Sequence, residues 1–326
     1  MGLLLGASRS AQDLGNQVIG SGFARALLLT SLIGTAQAQN FGSLINAVGE
    51  TDADHFSAVR LRAGGLFAYE SPWKYFGVAA QENFYSQSGW HRNATGVLGL
   101  WRDQTRDTLA GINAEAGVVE VAGRIRPIGD VNWSLRPSSS TGVELLGSAG
   151  LVETRTAIEQ GIGYTFWGAS IEQTIAERFT TIALVGYQPF SDGNDRVHFR
   201  ARLVWDAFPE QGINLQARWR QYRNSATDVD GAYFNPERYQ QWLGLVGFRK
   251  RVSGWMTMGA FGAGQEYIHN SGTTTQPTYL AELRTEGPIA GDARLAFQVM
   301  YNRSAAFSNS PDYWWGLVSV TLIMAF

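Results

Sequence analysis

Arginines at alternate positions in two neighbouring segments are the side chains of this sequence best suited to chemistry. Residues 195–207 and 212–224 each place polar side chains at every second position: Arg196, His198, Arg200, Arg202 and Asp206 in the first, and Asn214, Gln216, Arg218, Arg220 and Tyr222 in the second. A guanidinium group donates paired hydrogen bonds to carboxylates and other oxygen acceptors. One interpretation of the pattern is a surface that binds hydroxyl and acidic groups, and its candidate residues are Arg200, Arg202, Arg218, Arg220 and Tyr222.

Catalysis is the less favoured interpretation. The chain has no cysteine and four histidines, which are His55, His91, His198 and His269. Nucleophilic catalysis needs a serine or cysteine beside a histidine that a third group orients. His198 lies among arginines, whose positive field opposes the imidazolium that a general base forms, and the other three fall near predicted strand ends or loops. The sequence has no G-x-S-x-G, H-E-x-x-H or Gly-rich phosphate-loop motif, so we expect no catalytic residue.

Metal, cofactor and nucleic-acid binding have little support in the sequence. The formal net charge of -2 gives no basic footprint for nucleic acid. Residues 228–231, Asp-Val-Asp-Gly, resemble part of a calcium loop, but the remaining ligand spacing and the glutamate at the twelfth position are missing. We therefore expect no metal ion, no cofactor and no nucleic-acid partner.

The elements that must position the arginines are β-strands, because apolar and polar residues alternate along most of the chain. A charge that faces lipid at the bilayer midplane costs about 2–4 kcal/mol, so the arginines are expected to face a water-filled interior while the alternate apolar residues face lipid. The same sorting adds Glu282, Arg284 and Arg294 to the candidate lining of this lumen. These polar side chains would either bind groups of a passing solute or pair with one another across the lumen, and the sequence leaves both explanations open.

Segments of about ten to fifteen residues, separated by turn-forming residues, predict fifteen strands after residue 55. We place them near residues 56–69, 73–86, 89–103, 108–122, 129–137, 141–150, 160–174, 179–190, 195–207, 212–224, 238–249, 254–268, 277–286, 291–303 and 313–326. No apolar run of 18 or more residues is present, so no transmembrane helix is predicted. A buried strand set of a soluble sandwich is the alternative interpretation.

The lengths of the connections predict the orientation and an even strand count. Residues 225–237, 269–276 and 304–312 form long polar connections, and they alternate with short ones. Outer-membrane barrels have short periplasmic turns and longer outer loops, so the last strand is expected to run inward. The strand at 56–69 then runs inward too and needs an outward strand before it, for which residues 40–48 are the candidate. We therefore predict an all-β, transmembrane, antiparallel up-and-down barrel of about 16 strands, with 14 as the alternative.

The start of the chain has the features of a secretory signal. A charged residue, an apolar run and small residues follow one another in residues 25–38. Cleavage is predicted after Ala38, so residues 1–38 are a signal peptide with an extended prefix and residues 39–326 form one barrel domain without a helical plug. A short core helix over residues 24–35 is the alternative.

The chain ends in the strand YWWGLVSVTLIMAF, residues 313–326, with Phe326 at its carboxyl terminus. It resembles the closing strand of bacterial outer-membrane barrels, in which the terminal phenylalanine is the insertion signal for the barrel-assembly machinery. This resemblance implies that the chain is located in the bacterial outer membrane, with membrane lipid and that machinery as partners.

Three further fragments carry a more specific resemblance: residues 153–162, ETRTAIEQGI; residues 190–194, FSDGN; and residues 233–239, YFNPERY. With the closing strand, they resemble the barrel module of outer-membrane exopolysaccharide export porins, the group that includes the cellulose-synthase-operon outer-membrane subunit and the poly-N-acetylglucosamine export porin. The resemblance covers roughly residues 56–326. It implies a sixteen-stranded barrel through which a nascent polysaccharide leaves the cell.

The sequence departs from that family in one respect. The exporters carry periplasmic tetratricopeptide repeats before the barrel, and no helical period of about 34 residues appears here. Either a separate periplasmic tetratricopeptide protein supplies that scaffold, or this chain is a stand-alone relative with another cargo. We expect a polysaccharide conduit, with a small-solute diffusion porin or a structural outer-membrane protein as alternatives.

Overall fold

Sixteen antiparallel strands form a closed barrel in the part of the chain that the structure describes. The computed structural model describes residues 41–226, 228–291, 293–304 and 313–326. The strands are β1 (Gly42–Asp52), β2 (Ser57–Ser71), β3 (Lys74–Gln87), β4 (Trp90–Gln104), β5 (Gly111–Val121), β6 (Arg124–Leu135), β7 (Thr141–Leu151), β8 (Gly163–Ala176), β9 (Phe179–Pro189), β10 (Asp195–Phe208), β11 (Ile213–Asn224), β12 (Arg238–Val252), β13 (Trp255–His269), β14 (Thr273–Ala290), β15 (Ala293–Arg303) and β16 (Trp314–Ala325). Each strand pairs with the next one along the chain.

The first and last strands close the barrel. Their register runs from Gly42 opposite Ala325 to Asp52 opposite Trp315, and the amide of Phe326 donates to the carbonyl of Phe41 at 2.9 Å. The end of the barrel at which Phe41 and Phe326 lie is called the terminal end, and the opposite end is called the loop end. The predicted barrel and its count of sixteen strands are confirmed, and fourteen strands is excluded.

Strand boundaries differ from the prediction mainly at β6 and β14. Ala122 and Gly123 both have positive φ, 51° and 72°, and form a two-residue turn of the kind that matches the twist of a hairpin. Strand β6 therefore begins at Arg124 instead of residue 129. Strand β14 extends over Thr273–Ala290, beyond the predicted 277–286 at both ends.

A short helix, α1 (Arg155–Gln160), interrupts the connection between β7 and β8. Thr154 caps its first turn by accepting a hydrogen bond from the amide of Ala157, and Gly161 ends it in the left-handed conformation at φ 61°. No helix was predicted in this connection, and β8 begins at Gly163 instead of the predicted residue 160. Ala157 and Ile158 are fully buried, so the helix packs inside the barrel mouth.

The two faces of the barrel wall differ in polarity. Large apolar side chains are exposed on the outside, including Val197 at 59 %, Trp205 at 40 % and Trp242 at 53 %. The inner face holds buried polar residues, among them Gln81, Asn83, Gln216, Gln241, Glu266 and Thr278. An apolar cluster also lines the inside of β2–β5, where Leu66 and Leu98 are buried. A second apolar cluster, formed by Leu243, Leu245, Ala260 and Leu280, lines the inside of β12–β14, so polar and apolar patches alternate around the interior.

The predicted signal peptide, residues 1–38, lies outside the described residues. No helix among the described residues is long and apolar enough to cross a membrane.

Candidate functional site in the barrel lumen

A block of four arginines lies on the inner face of β10 and β11. Arg200 is in register with Arg220, and Arg202 with Arg218. The apolar residues that alternate with the polar ones on β10, such as Val197 and Leu203, are exposed on the outside of the barrel. Like charges directly opposite one another on neighbouring strands destabilise a sheet, so this wall carries an excess of positive charge that needs counter-charges or water.

Only part of this block is neutralised within the described residues. Arg218 Nη2 lies 2.6 Å from Glu282 Oε1, and Arg220 Nη2 donates to the hydroxyl of Tyr239 at 3.0 Å. Arg200 and Arg202 form no ion pair with a described carboxylate. These two guanidinium groups are thus available to solutes in the lumen.

The remaining candidate residues have other environments. Tyr222 is buried, because its ring stacks on Tyr239 at 4.9 Å and lies under the Arg196 guanidinium at 4.4 Å. Arg284 pairs with Glu286 at 2.9 Å, and Arg294 lies 5.8 Å from the ring of Trp73 in the β2–β3 turn. The structure therefore brings together Arg200, Arg202, Arg218, Arg220 and Glu282, whereas Arg284 and Arg294 lie nearer the terminal end.

A cavity of about 520 Å³ occupies the lumen at the loop end. Its charged lining residues are Glu50, Asp52, Arg60, Arg62, Asp130, Glu153 and Arg196, and its aromatic ones are Phe56, Tyr85, Tyr164, Phe190, Tyr233, Phe234, Tyr313 and Trp315. None of the eight lining residues predicted from the sequence belongs to this set. The cavity thus combines aromatic rings with both signs of charge.

Arg60 joins two carboxylates at the cavity wall. Its Nη2 lies 2.6 Å from Glu153 Oε1, and its Nη1 lies 3.8 Å from Glu50 Oε1. Trp315 Nε1 donates to the second oxygen of Glu50 at 3.3 Å. Two carboxylates that share one guanidinium leave acceptor oxygens for further donors, so this wall can exchange hydrogen bonds with a ligand.

Helix α1 and its flanking residues, the segment 152–162, narrow the lumen at the loop end. Glu153 at its start is bound to Arg60 on β2, and at its end Arg126 Nε donates to the carbonyl of Gly161 at 2.7 Å. Thr154 Oγ1 donates to the carbonyl of Ala232 in the β11–β12 connection. The segment is therefore held from three sides.

The three sequence fragments that carry the family resemblance meet at this constriction. Tyr233 stacks on Phe190 at 4.9 Å, and Asn194 Nδ2 donates to Tyr233 Oη at 3.1 Å and to Asn235 Oδ1 at 2.9 Å. Burial raises the pKa of Tyr233, and the hydrogen bond that its hydroxyl donates to Asp192 raises it further. The phenol is therefore neutral at physiological pH, and it acts as a hydrogen-bonding bridge between two connections.

The architecture has the two-sided polarity of barrels that span the outer membrane. An even number of antiparallel strands forms a closed wall with apolar residues outside and ionic residues inside. The chain is an outer-membrane β-barrel.

No group of three or more His, Cys, Asp or Glu side chains among the described residues is placed to hold a metal ion.

Among the comparisons with known proteins, the search of solved structures supports the barrel fold. The sequence matches no protein-family model and no curated protein. A solved structure described as a bacterial polysaccharide outer membrane secretin is similar over 89 % of this chain and 100 % of its own, with a TM-score of 0.62 and 14 % identity. The outer membrane protein OprD from Pseudomonas aeruginosa matches with a TM-score of 0.43 and 11 % identity, over 89 % of this chain and 96 % of its own. At 14 % identity, the first of these two matches shows a similar barrel fold and nothing more.

Proposed function

We propose that this outer-membrane barrel is a conduit for the export of a polysaccharide. The observation that carries the proposal is the lining of the loop-end cavity, where aromatic rings such as Tyr85 and Tyr164 lie beside Arg60, Glu50 and Glu153. Sugar rings present apolar C–H faces that pack on aromatic side chains, and their hydroxyl groups both donate and accept hydrogen bonds. A wall with rings, guanidinium groups and carboxylates meets both requirements.

Weak and repeated binding is the mechanism that suits such a conduit. Conduction requires binding that is favourable enough for the chain to enter but weak enough for it to leave. Here the charge of Arg60 is already shared with two carboxylates, so a sugar hydroxyl that accepts from one of its remaining N–H groups gains little free energy. Movement would be driven by polymer synthesis at the inner membrane.

The proposal also concerns the cargo and a partner protein. A barrel with a similar fold is described as a polysaccharide outer membrane secretin, and we propose the same class of cargo for this chain. A separate periplasmic tetratricopeptide protein would guide the polymer to the terminal end.

A small-solute diffusion porin is the second candidate, and the constriction at the loop end favours it. The segment 152–162 and the β11–β12 connection reduce the width of the lumen there. A lumen of this kind passes single sugars more readily than a polymer unless the segment moves aside.

Single-channel recording in planar bilayers distinguishes the candidates. Glucose and cellohexaose are added in turn to the terminal-end side of the reconstituted barrel. A conduit gives current blockades whose duration rises with chain length, and Tyr164→Ala shortens them while Tyr301→Ala, on the lipid-facing side, does not. Passage of glucose with no cellohexaose blockade favours the porin. A folded barrel without ion current overturns both candidates. In cells, deletion of the chain is expected to abolish secreted polymer.

A further inference from the structure

The outer surface of β11 and β12 is built of paired rows that change in polarity with depth. From the loop end downward, the residues in register are Arg223 and Arg238, then Gln221 and Gln240, then Trp219 and Trp242, then Ala217 and Gly244, then Leu215 and Val246. Their position on the outside follows from the alternate residues, since Tyr222, Tyr239 and Gln241 are buried on the inner face. From the loop end towards the middle of the strands, the outward side chains are therefore cationic, then amide, then indole, then small or aliphatic.

This order matches the polarity profile of one half of a membrane. The indole rings of Trp219 and Trp242 stack at 5.3 Å, and paired aromatic residues of this kind mark the level where hydrocarbon meets headgroups. Four residues along a strand span about 13 Å, and the strand tilt of barrels reduces this to roughly 10 Å along the membrane normal. Arg223 and Arg238 therefore lie at the level of the lipid headgroups on the loop side.

Neither of the two arginines has an ion-pair partner among the residues that the structure describes. Both are exposed and directly opposite one another, an arrangement that destabilises a strand pair unless an anion binds. Arg238 Nη2 donates to Gln221 Oε1 at 3.0 Å, and neither guanidinium forms an ion pair with a described carboxylate. Asp195, at the start of the adjacent strand β10, instead accepts a hydrogen bond from Tyr187 at 2.7 Å.

We propose that Arg223 and Arg238 form a binding site for the phosphate group of a lipid in the loop-side leaflet. The two guanidinium forks would hold the phosphate oxygens. Gln221 and Gln240, which share a hydrogen bond of 2.8 Å, lie just below, where the ester and hydroxyl groups of the headgroup are found. Trp219 and Trp242 contact the upper part of the acyl chains. The site fixes the depth and rotation of the barrel in the membrane and does not depend on what passes through the lumen.

Native mass spectrometry of the detergent-solubilised barrel tests this site, with bisphosphorylated lipid A and its dephosphorylated form as probes. The barrel is expected to retain the phosphorylated lipid preferentially, and R223Q/R238Q is expected to weaken retention about thirtyfold, given the contribution of each arginine near an anionic membrane surface. Lys250→Gln is the matched control, because Lys250 is an exposed cation on the same face of β12 at the terminal end. It should leave retention unchanged.

Three results would overturn the proposal. These are equal retention of both lipids, an unchanged affinity in the double variant, and binding of inorganic phosphate without binding of the phosphorylated lipid. Circular dichroism shows whether each variant keeps its strands, and the single variants R223Q and R238Q carry the test if the double variant does not fold.

Discussion

Arg60 on β2 and Glu153 at the start of the β7–β8 connection form an ion pair of 2.6 Å, although β2 is a neighbour of neither β7 nor β8 in the wall. The two residues are 93 positions apart in sequence. Because Glu153 directly precedes the capping residue of α1, the pair ties the inserted helix to the far wall. This ion pair is therefore one of three contacts that hold the segment 152–162 in the loop end of the lumen.

Glu153→Gln is expected to loosen the constriction. The charge-assisted hydrogen bond contributes about 1.5–3 kcal/mol, so its loss should raise the population with a displaced segment about tenfold or more. Single-channel recording should show higher or more frequently fluctuating conductance. Glu159→Gln is the control, since Glu159 makes only an exposed pair with Arg155 within α1. Identical current traces for wild type and Glu153→Gln would show that the pair does not restrain the segment.

Removal of Arg202 and Arg220 should change the ion preference of the lumen. Replacement of both by alanine removes two of the four cations in the β10–β11 block, so the reversal potential in a salt gradient is expected to shift towards cations. Arg223→Ala is the control, because Arg223 belongs to the same strand but to its outer face. An unaltered reversal potential in a correctly assembled barrel contradicts the assignment of these residues to the lumen.

The strands were predictable because two solvents act on alternate residues. Lipid outside and water inside impose a period of two, and this period fixed the strand pattern and the face of Arg200 and Arg202. The count of sixteen followed from the alternation of connection lengths, although β1 itself had a weak pattern. Contacts such as Arg218 to Glu282 were not predictable, because they depend on the register of strands that are distant in sequence.

The loop-end cavity and α1 could not be predicted from the sequence and are visible only in the folded structure. A helix of six residues is too short for its periodicity to be recognised, although Thr154 and Gly161 are ordinary cap residues at the correct spacing. The three motif fragments were recognised as segments, but nothing in their spacing indicated that Tyr233 stacks on Phe190. The three fragments come together through contacts between connections that are distant in sequence, and sequence spacing does not reveal such contacts.

Phe326 is expected to be needed for insertion into the outer membrane. Its ring is 64 % exposed, and its amide donates to Phe41, so its ring contributes little packing to the barrel while it closes the strand. Phe326→Ala should lower the amount of folded barrel in the outer membrane, measured by gel mobility of unheated samples. Phe261→Ala, which removes another outward ring at 60 % exposure, should have a smaller effect. Equal amounts for both variants would contradict a signalling role for the terminal residue.

Glu266 should be the most destabilising carboxylate to remove from the barrel wall. It is fully buried and accepts hydrogen bonds from Tyr239 at 2.7 Å, from Gln276 at 2.6 Å and from Ser304. Glu266→Ala removes the carboxylate that these three donors share beside Arg220, so it should cost about 3–5 kcal/mol, as the loss of one partner in a buried charged network does. Glu266→Gln keeps one acceptor oxygen and should cost less. Urea unfolding in lipid vesicles measures both, with the exposed Glu210→Ala as the control. A loss below about 1 kcal/mol for Glu266→Ala would show that water replaces the carboxylate in this part of the lumen wall.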